Sequence, residues 1–400
     1  MIDLCRIMLA QAAAMSIQTI LDRAIESGTI AGATAFVGNR AGTISSHAAG
    51  VSNPATGAPM QLDTIFQIAS MTKAVTSVAA MQLVEQGRLL LDAPIETVLP
   101  ELAQPQVITG FDDAGTAILR PAARPITLRH LLTHTSGFGY AFMSADMLRA
   151  FGPAGPPAPG SIASITSPLL FDPGERWEYG VSTDWVGRAV EAASGQSLGR
   201  YMADAILTPL GMTDTGFRLS DAQMARRAVL LSRGEGGTFT PFLAEMNGGA
   251  DAEFDSGGGG LMSSGLNYLR FVRMILNGGS LDGVTILMPE TIAEMSRNQI
   301  GHLRAGKMNT IMPMFSHPFD GFPEMHTGWG LGFLINPERG PNGRAAGSLA
   351  WAGIANSFYW IDPASDITGV LMMQFLPFGD PDALTLYADF ERAVYDKATA

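Results

Sequence analysis

Strand-like segments stand at the two ends of this chain with helical ones between them, which leaves few ways to build a single sheet. Gly32 to Val37 and Thr43 to Gly50 flank Gly38-Asn39-Arg40-Ala41-Gly42, whose glycines and asparagine suit the positive φ angles of a hairpin. Far downstream, Trp329 to Ile335, Ser357 to Ile361 and Thr368 to Phe375 read as strands, and Pro381 to about Asp396 as a helix. From Leu89 to about Thr285 the chain reads as helices joined by long Pro- and Gly-rich connections, notably Gln104 to Pro125 and Phe151 to Pro173. Connections of that length often form the rim of a site. The predicted class is α+β: an antiparallel sheet flanked by helices, built from both chain ends, with an inserted mainly helical domain. The expected division is residues 1–88 and 285–400 for the sheet part and 89–284 for the helical part, with the active site between them.

Composition narrows the function classes. A chain of 400 residues that is 46% hydrophobic and 16% charged can bury a large core and is not generally disordered. A formal charge of -12 and the lack of any basic run argue against a nucleic-acid partner. Cys5 is the only cysteine, which excludes an intrachain disulfide framework and a cysteine-based metal site. Met1 to Ala14 has a weak basic start and an interrupted apolar part, so a loose N-terminal arm on a cytoplasmic protein is expected rather than a signal peptide. No apolar run approaches the ~20 residues needed to span a bilayer, and no membrane partner is expected.

Chemistry concentrates at Phe66-Gln67-Ile68-Ala69-Ser70-Met71-Thr72-Lys73. Val75, Val78, Ala79 and Leu83 recur at helical spacing until Gly87, so Ser70 falls near a helix N-terminus. Lys73 then lies one turn on, sharing a face with Ser70. Unpaired backbone NH groups at that end favour developing negative charge. A serine hydroxyl needs a base to become a nucleophile, and an amine can serve only if it can be neutral. Lys73, Lys307 and Lys397 are the only lysines in a chain that otherwise uses arginine, which never sheds its proton. Position 73 therefore calls for an amine.

Other motifs have plainer readings. His130 and His134 stand four apart in Arg129 to Gly137, but without an acidic helper or a third ligand they read as a structural turn rather than a metal pair. Tyr179, just before a helix from Ser182 to Ser194, reads by itself as a packing aromatic. Asp184 is either a first-turn helix charge or a site residue. The run Gly257 to Gly260 lacks the Gly-Lys-Ser/Thr of a phosphate loop, so it reads as close backbone packing. Gly195-Gln196-Ser197-Leu198-Gly199 has the spacing of a nucleophile elbow but follows a helix, so Gly195 reads as a helix stop and Ser197 as a cap. Asn267 to Leu276 reads as a further helix. Gln299 to His326 is rich in Met and Phe, which suits an adaptable pocket or lid and equally ordinary core or a subunit contact.

Taken together, Ser70-Met71-Thr72-Lys73, Leu131 to Gly137, Tyr179-Gly180-Val181, the glycines from Gly257 and Trp351-Ala352-Gly353 resemble the serine β-lactamase and penicillin-binding-protein superfamily. Its class C-like carboxylesterases, called family VIII, are the nearest in pattern. The resemblance runs from about Ile17 onward and implies a β-lactamase-like fold. It implies Ser70 as nucleophile, with Lys73 and Tyr179 sharing the general-base and general-acid work. The NH groups of Ser70 and Ile354 would form the oxyanion hole, the latter from an edge strand. Trp351, Gly353, Val181 and Asp184 are the substrate-binding candidates. No metal and no cofactor is implied.

Two departures bear on the substrate. Lactamases commonly carry Lys-Thr-Gly where this chain has Trp351-Ala352-Gly353, and end their second motif in Asn where it has Val181. The groups that orient a β-lactam carboxylate and its acylamino side chain are absent. The expected substrate is therefore a small neutral ester with a short to medium acyl group, hydrolysed through an acyl-enzyme. A lactamase, a D-amino-acid peptidase or an acyltransferase using the same serine, and a non-catalytic binding relative, are the alternatives.

Overall fold

The computed structural model describes residues 16–244, 246 and 249–398, so the expected N-terminal arm lies outside the described residues. Among these, no helix is long and apolar enough to cross a membrane.

Helix α1 (Ile17–Glu26) starts where the Ser16 hydroxyl accepts from the Thr19 NH, and it buries Ile17, Ile20 and Leu21. Strands β1 (Gly32–Gly38), β2 (Thr43–Asn53) and β3 (Ala58–Pro59) follow. The carboxyl end supplies β4 (Gly328–Trp329), β5 (Leu334–Ile335), β6 (Leu349–Gly353), β7 (Ser357–Asp362) and β8 (Ile367–Met372). They form one eight-stranded sheet in the order β4-β5-β6-β7-β8-β1-β2-β3, antiparallel throughout. The chain ends meet where β1 pairs with β8, from Thr34 opposite Met372 to Gly38 opposite Thr368. The fold is thus the β-lactamase-like α+β arrangement expected.

Both faces of the sheet are covered, which is why β7 and β8 are buried along their whole length. Alternation along β7 sends Tyr359 to one face and Trp360 to the other. Trp360 meets Phe390 and Tyr395 of the C-terminal helix, Pro381–Ala398, which also packs on α1. Tyr359 meets Tyr268 of the helix Gly265–Leu276. That helix falls inside the 89–284 stretch but bears on the sheet. Its first residue, Gly265, lies where an added Cβ would come within 2.1 Å of the Phe36 ring.

Helix α2 (Thr72–Glu85) is buried from Thr72 to Leu83, polar residues included, because other elements surround it on all sides. Helix α3 (Ser182–Ser194) packs on α2 and stops at Gly195, whose φ is 74°. With these two placed, the helix Gly265–Leu276 is α4 and the C-terminal helix is α5.

Three local readings change. Trp329 to Ile335 is a hairpin of two short strands, because Gly332 turns the chain at a φ of 103°. The strand expected over Thr368 to Phe375 ends at Met372, and Phe375–Leu376 joins a small sheet with Leu231–Arg233 instead. Gln104 to Pro125 folds into a hairpin pairing Gln106–Phe111 with Ala117–Pro121 rather than a site rim.

Candidate active site

Ser70 sits in a tight turn of 3-10 helix, Ala69–Met71, that leads into α2. Just upstream, Ile65–Gln67 pairs with Met262–Ser264, and the Ile68 NH donates to Leu261 O at 3.1 Å. The chain must turn sharply between that pairing and the helix. Ala69 absorbs the turn at a φ of 45°, a left-handed conformation that costs a non-glycine residue about 1–2 kcal/mol. The serine is thereby lifted to the wall of a large cavity.

Lys73 is 1% exposed, and its Nζ stands 3.2 Å from Ser70 Oγ, 3.1 Å from Tyr140 Oη and 2.7 Å from Gly258 O. Burial opposes the charge, but Tyr140, Tyr179 and Asp184 outweigh it and hold the amine above the ordinary lysine range. Burial likewise pushes the Tyr140 phenol above its usual range, against the pull of Lys73.

Tyr179 faces the same amine, with Lys73 Nζ 4.8 Å from the centre of its ring. Trp351 Nε1 donates to Tyr179 Oη at 3.0 Å, which fixes the phenol and leaves its own proton free to point elsewhere. His134 packs beside Tyr179, 4.9 Å between ring centres, and edge-on to Trp329. Burial, and secondarily the Lys73 charge, keep this imidazole neutral, well below its ordinary pKa. His130 instead closes a helix start, its Nδ1 accepting from the Thr127 NH. The two histidines are thus used separately, as a turn and as packing.

Gly353 ends β6 against the serine turn, where an added Cβ would come within 2.5 Å of Ile68 O. Its successor Ile354 lines the cavity with Ser70. Among the described residues, neither the Ser70 NH nor the Ile354 NH finds a protein acceptor. The expectation of an edge strand is corrected: β6 lies between β5 and β7. Val181 caps α3 and lines the cavity. Asp184 reaches the cavity too, but its Oδ1 accepts from Ser256 Oγ at 2.6 Å and the Gly258 NH at 3.0 Å. That carboxylate holds the glycine turn whose carbonyl accepts from Lys73.

The glycine run packs as closely as its composition implies. A Cβ on Gly257 would meet Thr183 O at 2.8 Å, and one on Gly258 would meet Asp184 Oδ2 at 2.4 Å. Ser197 caps a short helix by accepting from the Arg200 NH, far from any nucleophilic role. The cavity itself has a volume of about 850 Å³. Phe151 and Pro157 come from the long connection after residue 150, and Met308, Met312, Phe315 and Phe319 from the Met- and Phe-rich stretch. That stretch is therefore a pocket wall. Tyr140 is the site residue that sequence reading missed, since no motif marks Gly139-Tyr140.

A Beta-lactamase family profile matches residues 17–393. The chain belongs to that family. More particularly, it is 35% identical over 348 residues to monacolin J acid methylbutanoyltransferase of Aspergillus terreus, covering 84% of this chain and 83% of that one. It is 32% identical over 406 residues to lovastatin esterase of Penicillium rubens, covering 96% and 98% of the two chains. Among solved structures, a mutant of simvastatin synthase from Aspergillus terreus superimposes with a TM-score of 0.82 at 32% identity, covering 96% of each chain.

Proposed function

We propose that this protein is a serine acyl-ester enzyme that forms an acyl-enzyme on Ser70 and acts as a family VIII type carboxylesterase on short to medium acyl esters. The observation that carries the reading is the 3.2 Å contact of Lys73 Nζ with Ser70 Oγ at the wall of a largely apolar cavity. Once Lys73 has shed its proton, it can accept the Ser70 proton as Oγ attacks the ester carbonyl. The carbonyl oxygen, becoming an alkoxide, points to the Ser70 and Ile354 NH groups. As the C–O bond to the alcohol breaks, Tyr179 or the Lys73 ammonium returns a proton to the leaving oxygen. Water then hydrolyses the acyl-enzyme by the same steps reversed.

A second reading, acyl transfer to an alcohol, is favoured by the size and apolar walls of the cavity, which seat an organic acceptor beside the acyl-enzyme and limit water. The relatives named as a transferase and an esterase fit the two outcomes of one intermediate. Trp351 occupies the place of a carboxylate-binding lysine, so neutral esters suit the site better than β-lactams.

The test is a side-by-side assay of p-nitrophenyl butyrate and a chromogenic cephalosporin, with and without a hydrophobic alcohol. Ester turnover that exceeds cephalosporin turnover, and is abolished in folded Ser70→Ala, is expected. Strong preference for the cephalosporin, or full activity in Ser70→Ala, overturns the assignment. A new ester formed from the added alcohol selects transfer over hydrolysis.

A further inference from the structure

The cavity has two faces. Strand β6 alternates, so Trp351 and Gly353 point towards Ser70 while Ala350 and Ala352 point through the sheet to the side covered by α5. The pairing confirms the division: Ala350 lies opposite Trp360 and Ala352 opposite Phe358, and both of those aromatics pack on Tyr387 of α5. Leu334, opposite Ala350 on β5, shares that face. Yet residues of both faces line the same cavity, which runs past Ile354 and Ala355 at the β6–β7 turn. A chamber thus continues from the serine, round the end of the sheet, into the layer beneath α5.

Its walls are largely apolar; Ser316, Asp320 and Asn342 also line the cavity, and one end is charged. There Arg344, 2% exposed, lines the cavity together with Glu391 and Tyr387. Nε and Nη2 of Arg344 are spent on Glu391 at 2.9 and 2.8 Å, and Nη2 also reaches Tyr387 Oη at 2.7 Å. Nη1 has no protein partner among the described residues. The guanidinium packs against the Phe322, Trp360 and Tyr387 rings, and Nη1 is left to whatever fills the cavity, water or a ligand oxygen. Because Glu391 already balances the arginine, the spare NH suits a neutral acceptor; a carboxylate would compete with Glu391 for the same cation.

We infer that this chamber beneath α5 is a binding site for the remote part of the substrate, an apolar chain or ring ending in a neutral carbonyl, ether or hydroxyl oxygen that accepts from Arg344. Small side chains at Ala350 and Ala352 make the room, and Phe358 and Phe322 line its apolar wall. The inference builds on the ester reading for the word substrate. The site itself is testable without turnover.

The experiment is calorimetric binding of 2-octanone, a ketone on an apolar chain, to the intact protein, with octanoate and 2-butanone as comparisons. Saturable binding of 2-octanone, weakened at least tenfold in Ala352→Leu and about fivefold in Arg344→Lys, is expected, with 2-butanone binding more weakly to the unaltered protein. Lysine keeps the charge opposite Glu391 but cannot span Glu391 and a ligand together. Folding of each variant is checked by its thermal transition, and either one that folds decides the matter. Unchanged 2-octanone affinity in the folded variants, or no saturable binding to the unaltered protein, overturns the chamber. Tighter binding of octanoate overturns the neutral-acceptor chemistry. Binding as expected in a protein that turns over no ester would leave the chamber standing and the enzymatic reading fallen.

Discussion

Lys73 satisfies its three neighbours in either protonation state. As an ammonium it donates to Ser70, Tyr140 and Gly258 together; as an amine it donates to Tyr140 and Gly258 and accepts from Ser70. Its pKa is raised, so the amine form is a minor species near neutrality. That form grows about tenfold per pH unit while pH stays below the pKa. The expected outcome is that kcat/KM for p-nitrophenyl butyrate climbs between pH 6 and pH 9; a flat profile there would remove Lys73 as the base. Lys73→Arg should lose about 10²–10⁴-fold in kcat, since the guanidinium cannot take the proton. At this scale the serine and lysine were legible because three residues make one helical turn. Tyr140 was not, since it is brought to Lys73 from 67 positions away by folding alone. Nor does any letter in the sequence mark Ala69 as left-handed, a conformation that glycine would have announced.

At the scale of elements, the site depends on the glycine turn between α3 and α4. Asp184 on α3 pins the Gly258 NH, and Gly258 O receives Lys73. A methyl group on Gly258 would fall 2.4 Å from Asp184 Oδ2 and force the two apart. Gly258→Ala should therefore cut kcat about tenfold to a hundredfold with a smaller change in KM, because the amine loses its register with Ser70. Steady-state kinetics on the folded variant checks this, and unchanged kcat would show that the turn does not position the lysine. The sequence marked the turn as close packing but not what it packs against, because Asp184 is 74 residues from Gly258. Helix starts and stops were more readable. Gly87 and Gly195 end α2 and α3 where their positive φ angles imply.

At the scale of the whole molecule, a buried ion pair joins two of the carboxyl-terminal layers. Arg344 and Glu391, 2% and 3% exposed, tie the loop before β6 to α5 at the end of the chamber. Removing the acid strands a buried cation. Glu391→Ala should destabilise by about 3–5 kcal/mol in urea unfolding, and a loss below 1 kcal/mol would mean the guanidinium is solvated in place. The sheet built from both ends was readable because strand-like writing is confined to those ends. Its register was not, since β1 pairs with β8 across nearly the whole length of the chain. Nor was the cavity's passage round the sheet, which depends on which face Ala350 and Ala352 occupy. The cavity stands where several elements meet, Ser70 and Lys73 from α2 and its approach, Tyr140 and Tyr179 from the chain between α2 and α3, and Trp351 and Ile354 from β6 and the turn after it.

The central claim is that the acyl group passes through Ser70. The direct measurement is rapid acid quenching of the protein during turnover of p-nitrophenyl butyrate, followed by peptide mass mapping. One butyryl group on the peptide that carries Ser70, absent from Ser70→Ala, is the predicted result. Butyryl on Ser197, or turnover with no acylated peptide at all, would contradict it.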